Sequence, residues 1–483
     1  MKLTTEQFNI VETNENLRIN AGAGSGKTTT LIEYCRSKYP ATTLYLAFNK
    51  SVKDHAISKF QENGLFNVKV ETAHSLAYKH IVPQNNYKIR MNDYKVYEIY
   101  KILAMKEKGY TYASAKHVSD FFKKICNSSA MNFNNMEMSE NERKLFDSVK
   151  DLVVQFYNKM NKGEIEVTHD FYLKKYQLSK PILDYQYILF DEGQDASPVM
   201  LDIFEKQQRS TKIIVGDENQ QIYSWRYAIN SLESVDYKSL YLTNSFRFNS
   251  EIARLANRIL SWKNIINKPT SMKVKGLGSS EDESKRAILA RTNIGLLSEA
   301  INIVNSNEDY KIYFEGNLTS YIYADEGTSL YDVLNLKNGK YEYIKDDLIK
   351  NMTSFDELKE YIEETNDVDL KMLTKIVDKY GNRIFTLLKK IKDLNVSDKE
   401  DADIVFSTVH KSKGMEYDYV ILSEDFISLR NIFEAVEKKE DLDLMNEEIN
   451  LLYVAITRAK NKIEVPEWLL PSDFEVSDKI ITY

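Results

Sequence analysis

The chain has 483 residues, of which 43% are hydrophobic and 28% charged, as in ordinary globular proteins, and this length allows roughly three or four domains. A net charge of −7 excludes histone-like, purely electrostatic nucleic-acid binding, although it leaves room for a local basic groove. Two cysteines, Cys35 and Cys126, fit a reducing cytosol and exclude a disulfide framework. Because no apolar signal core or membrane-length apolar run is visible, we expect a cytoplasmic protein without membrane contact.

Short apolar strands alternate with helices in the first part of the chain. Arg18–Ala21 and Thr43–Phe48 are predicted strands, with a helix at Thr28–Tyr39 between them. The strand pattern returns at Tyr187–Phe190 and Thr211–Val215. This alternation predicts a parallel sheet with helices on both faces, and ligands bound at the carboxyl ends of its strands.

Residues 84–180 have a different composition, with helical patterns, many Lys and Tyr residues and few turn glycines. They hold 17 Lys and Arg against 12 Asp and Glu, so this insertion is mildly basic within an acidic chain. Two interpretations stay open: a solvated helical insertion, or a flap that faces nucleic acid.

A second α/β pattern begins near Thr243. Strands are predicted at Ala287–Arg291, Ile404–Thr408 and Tyr419–Leu422, and a helix at Glu447–Lys460. We therefore expect an α/β fold with two parallel-sheet domains, each interrupted by a mostly helical insertion. The predicted domains are 1–83 with 181–242, the insertion 84–180, 243–299 with 401–470, the reduced second insertion 300–400, and the tail 471–483.

The second insertion is charged and mostly helical, as in Ser354–Glu364 and Leu370–Ile391. Lys273–Lys285, rich in Gly and Ser, is predicted to be a flexible linker.

Residues 21–28 (AGAGSGKT), between a predicted strand and a predicted helix, indicate a phosphate-binding loop. Its backbone N–H groups would cradle phosphates at a helix N-terminus. Lys27 is expected to reach the β and γ phosphates of ATP and Thr28 to hold Mg²⁺, and the Lys-Thr pair disfavours a glycine turn without a ligand. The predicted nucleotide-binding residues of this loop are Ala21, Gly22, Ala23, Gly24, Ser25, Gly26, Lys27, Thr28 and Thr29.

A second acidic motif follows a buried strand at residues 188–195 (ILFDEGQD). Asp191 is expected to hold Mg²⁺ and Glu192 to polarise the attacking water. A solvated surface pair is the alternative for an isolated Asp-Glu, but the preceding strand and the upstream phosphate loop favour catalysis.

Residues 216–228 (GDENQQIYSWRYA) place an amide close to a large aromatic ring. Gln220 is suited to sensing a terminal phosphate, and Trp225 to stacking on a base. An enzyme that only hydrolysed ATP would not need that ring, so the pairing predicts a motor that steps along single-stranded nucleic acid. Tyr223 and Arg226 are predicted to contact the same strand.

Two arginines in the second half are candidates for contacting the transferring phosphoryl group. Arg247 follows Phe246, and Arg458 ends an apolar helical segment that we place at a helix edge. Such an arginine can raise a rate by on the order of 10³ to 10⁵. Taken singly, each could instead form an ordinary surface ion pair.

These segments, in this order from Gln7 to about Lys460, resemble the motifs of superfamily 1 helicases of the UvrD/Rep/PcrA class, with two RecA-like motor domains. The resemblance implies that Gln7 reads adenine and that Phe246 stacks on it. Residues 407–416 (STVHKSKGME) resemble motif V, which implies that His410 faces DNA and that Gly414 and Glu416 face the nucleotide.

Two further segments resemble the DNA-facing motifs Ia and Ib of that class. Motif Ia, one residue shorter than usual, would make Phe48 a base-stacking residue, and motif Ib would turn Thr72 and His74 towards the strand. Both segments are most similar to the F-box-helicase and phage branches.

The chain departs from the family pattern at three points. Gly193 replaces an expected Ala, which should be tolerated, and Tyr227 replaces a Gly, which is expected to reshape the base pocket. The second insertion is shortened, which counts against autonomous, processive unwinding and leaves translocation intact.

The predicted function is an ATP- and Mg²⁺-dependent DNA helicase or translocase that steps 3′→5′ along single-stranded DNA and acts at single-strand/duplex junctions, with ATP between the two sheet domains. The alternative is a DNA-stimulated ATPase module inside a larger repair or phage-defence complex, with a nuclease or another subunit as partner. A kinase-like NTPase without nucleic acid would leave Trp225 and the second sheet domain without a role.

Overall fold

A computed structural model of the protein describes residues 2–224, 227–270, 272–306, 310–316, 318–321, 329–365, 367–471 and 473–483. The chain divides into two compact units, Met1–Leu242 and Thr243–Tyr483. Among the helices described, none combines the length and apolar character needed to cross a membrane.

The first unit contains a six-stranded, fully parallel sheet. Its strands are β1 (Leu17–Ala21), β2 (Thr43–Ala47), β3 (Val68–Thr72), β4 (Tyr187–Phe190), β5 (Thr211–Gly216) and β6 (Lys238–Leu242). Their order across the sheet is β3-β2-β4-β5-β1-β6. β2 is buried at every position, which explains its almost continuous apolar sequence.

Helices cover both faces of this sheet. They are α1 (Thr5–Glu12), α2 (Lys27–Ser37), α3 (Lys50–Glu62), α4 (Ala73–Asn85), α5 (Val96–Ile102), α6 (Tyr112–Asn127), α7 (Glu140–Asn161), α8 (His169–Leu178), α9 (Pro198–Glu205) and α10 (Ser231–Ser234). Because side chains alternate along a strand, Leu44 and Leu46 of β2 join the core that continues into the insertion, whereas Tyr45 packs on the other face against Phe60. The predicted α/β sheet with helices on both faces is confirmed.

The helices α5–α8 form the first insertion, between α4 and β4. Phe146, Phe156 and Phe171 are its buried aromatic centre, and they belong to the same hydrophobic cluster as Leu44 and Phe190 of the sheet. The insertion therefore shares a core with the sheet of its unit.

The second unit contains another parallel six-stranded sheet, in the order β10-β11-β9-β12-β13-β14. Its strands, together with the short pair β7–β8, are β7 (Asn244–Ser245), β8 (Lys275–Gly276), β9 (Arg286–Ala290), β10 (Ile312–Phe314), β11 (Ile404–Thr408), β12 (Tyr417–Leu422), β13 (Ala459–Val465) and β14 (Ile480–Thr482). The helices of this unit are α11 (Ser250–Leu260), α12 (Asn293–Ser306), α13 (Leu330–Lys337), α14 (Asp347–Lys350), α15 (Phe355–Thr365), α16 (Val368–Tyr380), α17 (Arg383–Leu394), α18 (Val409–Ser412), α19 (Leu429–Glu437) and α20 (Leu442–Ile456).

Several details of this unit differ from the sequence-based prediction. The edge strands β10 and β14 lie outside the ranges predicted for the second sheet domain, because three-residue strands give no clear alternating pattern. The helix expected to reach Lys460 ends at Ile456, and residues from Ala459 onwards enter β13. The helix expected over Leu370–Ile391 is two helices separated at Gly381, whose φ is +52°.

The segment predicted as a flexible linker is packed against the unit. β8 within it pairs in parallel with β7. A Cβ at Gly276 would lie 2.0 Å from the backbone oxygen of Asn249, so this close approach requires glycine. The glycines of this segment therefore permit backbone packing instead of providing flexibility.

Candidate active site and nucleic-acid interface

The predicted phosphate loop joins the carboxyl end of β1 to the first turn of α2, which begins at Lys27. Gly24 and Gly26 have φ of +71° and +77°, conformations that glycine adopts without strain. The N–H group of Ser25 donates to the Gly22 oxygen at 3.1 Å, and its hydroxyl is buried without a hydrogen-bond partner among the described residues. This concave backbone and the unsatisfied hydroxyl fit a phosphate group.

Lys27 and Glu192 face each other at the carboxyl ends of β1 and β4. The Lys27 Nζ and Glu192 Oε1 atoms are 2.9 Å apart. Burial alone would lower the pKa of Lys27, but the charges of Glu192, Asp191 and Asp217 outweigh it and raise that pKa. The lysine is therefore a cation, held by a carboxylate where a phosphate would compete for it.

Asp191 is buried, with a hydrogen-bond donor on each oxygen. The Tyr45 hydroxyl donates to Oδ2, and the Glu192 N–H donates to Oδ1 at 3.0 Å. Burial and the neighbouring Glu192 raise the pKa of Asp191, against the opposing effects of Lys27 and Tyr45. The sequence gave no signal for Tyr45, because it lies on a different strand 146 residues away.

The motif around Glu192 is held to the loop after β5 through Gln194, which sequence reasoning did not single out. The Gln194 amide donates to Glu192 Oε2 at 2.6 Å, and its oxygen accepts from the Asp217 N–H at 3.1 Å. A Cβ at Gly216 would lie 2.0 Å from that oxygen, so glycine is required there. Gly193 likewise packs on Ile214, whose Cγ1 would lie 2.4 Å from a Cβ, which explains why Gly stands in place of the expected Ala.

Gln220 lies in this same loop and donates through Nε2 to Asp217 Oδ2 at 2.8 Å. Asp217 is fully buried and was also missed, although it directly follows a predicted strand. Gln220, Asp217, Gln194 and Glu192 thus form one hydrogen-bonded series. A change at Glu192 can therefore be transmitted to the loop that carries Gln220.

Mg²⁺ usually binds proteins through one or two carboxylates together with substrate phosphates. Within the described ranges, no group of three or more His, Cys, Asp or Glu side chains is arranged to hold a metal ion. Asp191, fixed by two donors, and Thr28, in the first turn of α2, fit the smaller set that Mg²⁺ needs beside a nucleotide.

Phe48 and Tyr223, predicted from separate motifs to contact DNA, stack on each other. Their ring centroids are 5.8 Å apart and their planes differ by 21°. Trp225 and Arg226 lie outside the described residues. Two of the predicted stacking residues therefore form one aromatic surface in the first unit.

A cavity of about 800 Å³ adjoins this surface in the first unit. Phe48, Thr72 and His74 line it from the sheet side. The first insertion contributes Lys123, Asn127, His169, Asp170 and Tyr172. This shared lining supports the interpretation of the insertion as a nucleic-acid-facing element.

Thr72 and His74 already make contacts within the unit. The Thr72 hydroxyl accepts from the Ser75 N–H at 3.0 Å and caps α4. His74 Nε2 lies 3.9 Å from Asp170 Oδ1. The predicted DNA contact of Thr72 must therefore coexist with a structural cap, whereas His74 remains partly exposed in the cavity.

Glu71 is buried at the rim of the cavity, where its carboxylate accepts hydrogen bonds from Lys53, Lys79 and Ser75. Burial opposes ionisation, but these donors lower the pKa of Glu71 to about 2. The lowered pKa stabilises the fold above the usual glutamate pKa, and this contribution is lost as pH falls from about 4.5 through 2.

We expect Glu71→Gln to lower the free energy of unfolding at pH 7 by roughly 2–3 kcal/mol. Urea denaturation at pH 7 and pH 3 measures this, and the difference from wild type should be smaller at pH 3. Glu62→Gln, in an exposed pair with Lys59, is the matched control and should change stability by less than about 0.5 kcal/mol. Equal effects of the two substitutions would contradict the stabilising role of Glu71.

Gln7 is buried in α1, where its side-chain oxygen accepts from the Thr4 N–H at 3.0 Å. The amide nitrogen is then the group that can read a base.

In the second unit, Arg247 donates to Glu416 Oε1 at 2.8 Å and to the Thr457 oxygen at 3.1 Å. Phe246 beside it is 44% exposed and available for stacking. Gly414 has a φ of +88°, and His410 lies in the short helix α18 after β11. The structure thus brings Arg247 and Glu416 together, although sequence reasoning assigned them to separate motifs.

Arg458 is not at the exposed helix edge that the sequence suggested. It follows α20, is 1% exposed, and donates to the Val454 oxygen at 3.0 Å and the Met415 oxygen at 3.2 Å. The apolar helix pattern could not reveal these backbone acceptors. A phosphate contact by Arg458 would require it to leave them.

Comparison with known proteins agrees with this arrangement. Residues 3–238 match the UvrD/REP helicase N-terminal domain. The chain is 32% identical to F-box DNA helicase 1 of Gallus gallus and 28% identical to F-box DNA helicase protein 1 of Schizosaccharomyces pombe, in each case over 95% of its length.

The chain belongs to the UvrD/REP helicase family. The resemblance predicted from the motifs, including the F-box-helicase branch, is thereby confirmed. The chain covers 48% and 57% of the two F-box helicases, about half the length of each. It is also 24% identical to Gabija protein GajB of Bacillus cereus, over 94% of both chains.

Proposed function

We propose that the protein is an ATP-dependent translocase or helicase that steps along single-stranded DNA, in the 3′→5′ direction. One short loop supports this proposal. Gln220, bonded through Asp217 towards the Glu192 motif, lies three residues before Tyr223, which stacks on Phe48. A change at the nucleotide can thus reach an aromatic surface suited to a base.

On the nucleotide side, the phosphates of ATP compete with Glu192 for Lys27. Once released, Glu192 can polarise the attacking water while Gln194 keeps its other oxygen oriented. Asp191 and Thr28 would hold Mg²⁺, which when bound neutralises charge on the phosphoryl oxygens. Tyr45 keeps the Asp191 carboxylate in a fixed orientation.

On the nucleic-acid side, an exposed base would stack with Phe48 and Tyr223, and with Trp225. Such stacking contributes roughly 1–3 kcal/mol per base and does not depend on sequence. It is strong enough to grip the strand and weak enough to release it at each step.

Gln7, Phe246, Gly414 and Glu416 remain predicted nucleotide contacts. Arg247 and Arg458 remain predicted phosphoryl contacts, and His410 a predicted DNA contact. The predicted domain ranges, apart from the edge strands reported above, are likewise proposals.

A second candidate function is a DNA-stimulated ATPase that works within a complex and does not separate strands alone. The match to GajB favours it, since that protein is similar to this chain over nearly its whole length. A nuclease or a repair or defence subunit would then be the partner.

Duplexes with a single-stranded tail on either the 3′ or the 5′ side distinguish these functions. A 3′→5′ helicase should separate the strands of the 3′-tailed duplex and leave the 5′-tailed one intact. DNA-stimulated ATPase activity without separation of either duplex would favour the second function. Separation of only the 5′-tailed duplex would contradict the proposed direction.

A further inference from the structure

Tyr227 has a backbone conformation that tyrosine rarely adopts. Its φ is +60°, in the left-handed region that favours glycine. Such strain persists only where surrounding contacts hold the residue in place. The family pattern has a Gly at this position, so the tyrosine side chain is a specific addition of this chain.

The Tyr227 side chain connects two parts of the first unit. Its hydroxyl donates to the backbone oxygen of Asp120 at 3.1 Å, and Asp120 lies in α6 of the first insertion. The ring lines the cavity that Phe48 and His74 also line. Burial raises the pKa of Tyr227, so its hydroxyl remains a donor at neutral pH.

The segment that carries Tyr227 is also tied to the nucleotide-sensing loop. The Gln221 amide donates to the Ala228 oxygen at 3.1 Å, closing the segment on itself. The Ile229 N–H donates to the Ala196 oxygen at 3.0 Å, just after the Glu192 motif. A shift of Gln220 or of that motif therefore acts on Tyr227 through the short chain between these bonds.

We propose that Tyr227 is a positioning residue that couples the nucleotide-sensing loop to helix α6, so that nucleotide binding changes how the first insertion holds the DNA strand. This inference rests on the proposed function. It assigns to Tyr227 a role beyond shaping a base pocket, because the hydroxyl contact joins the loop to the insertion.

Amide hydrogen exchange of α6, with and without a non-hydrolysable ATP analogue, measures the coupling directly. In the wild-type protein the analogue should change the exchange of Tyr112–Asn127, and Tyr227→Phe should lose most of that change. Tyr100→Phe is the matched control, since the Tyr100 hydroxyl donates to the Tyr110 oxygen at 3.0 Å within the insertion. An equal change in wild type and Tyr227→Phe, or no change in wild type, would overturn the inference.

Single-stranded DNA affinity with the analogue bound gives a second readout. Loss of one hydrogen bond predicts an affinity about 2- to 10-fold weaker in Tyr227→Phe. Tyr227→Gly removes the same contact but relieves the backbone strain, so it should lose the nucleotide effect even if its Tm equals that of wild type. If affinity simply followed Tm across these variants, Tyr227 would be only structural.

These outcomes are separable from failure of the proposed function. If DNA does not stimulate the wild-type ATPase, the proposed function fails. If DNA stimulates wild type and Tyr227→Phe equally, and the analogue changes α6 equally in both, only the coupling role of Tyr227 fails.

Discussion

Glu192→Gln is expected to lower ATP turnover by about 10²- to 10⁴-fold, the usual range for loss of a positioned base. The amide cannot polarise water as a carboxylate does, although it retains the size of the side chain. Nucleotide binding should persist, because the phosphate loop is unchanged and Lys27 loses only a competing anion. Steady-state ATPase rates and fluorescent-nucleotide titration measure the two quantities.

Lys27→Ala should also abolish turnover, but through weakened phosphate binding. Glu205→Gln is the matched control, since Glu205 is exposed at the end of α9 and away from the motif. Near-normal turnover in Glu192→Gln would refute the role given to the Lys27–Glu192 pair.

Trp225→Ala is expected to retain ATP binding and to lose most of the stimulation by single-stranded DNA. Tyr223→Ala and Phe48→Ala should weaken DNA binding in the same direction, because each removes part of the stacked surface. Loss of a base–aromatic stack of roughly 1–3 kcal/mol corresponds to about 5- to 150-fold in affinity. Fluorescence anisotropy with a labelled oligonucleotide, beside ATPase rates at saturating DNA, measures both effects.

Trp468→Ala is the control for removing a tryptophan. Trp468 is 42% exposed in the second unit and belongs to none of the predicted motifs. Stimulation of Trp225→Ala equal to that of wild type would remove the stacking role.

The chemistry of the nucleotide site could be predicted from sequence because its residues occur in short local patterns. Lys27 and Asp191 each follow a buried strand, and parallel strands bring their carboxyl ends to one edge. The pairing of Lys27 with Glu192 follows from the same geometry.

Contacts between distant segments could not be predicted in this way. Tyr45 reaches Asp191 from another strand, and its own neighbours in sequence give no indication of that hydrogen bond. Arg458 has a motif position that suggests catalysis, yet backbone oxygens that no sequence pattern reports hold it inside the second unit. The edge strands β10 and β14 are defined by their neighbours in the sheet, which a three-residue pattern does not reveal.

The rate of ATP hydrolysis by the purified wild-type protein, titrated with single-stranded oligonucleotide at saturating ATP and Mg²⁺, tests the central claim most directly. If the Gln220–Tyr223 loop joins the nucleotide site to the aromatic surface, the rate should rise with oligonucleotide concentration and reach a plateau. A rate that stays constant across the titration, while the protein still hydrolyses ATP, would contradict that connection and the motor function with it.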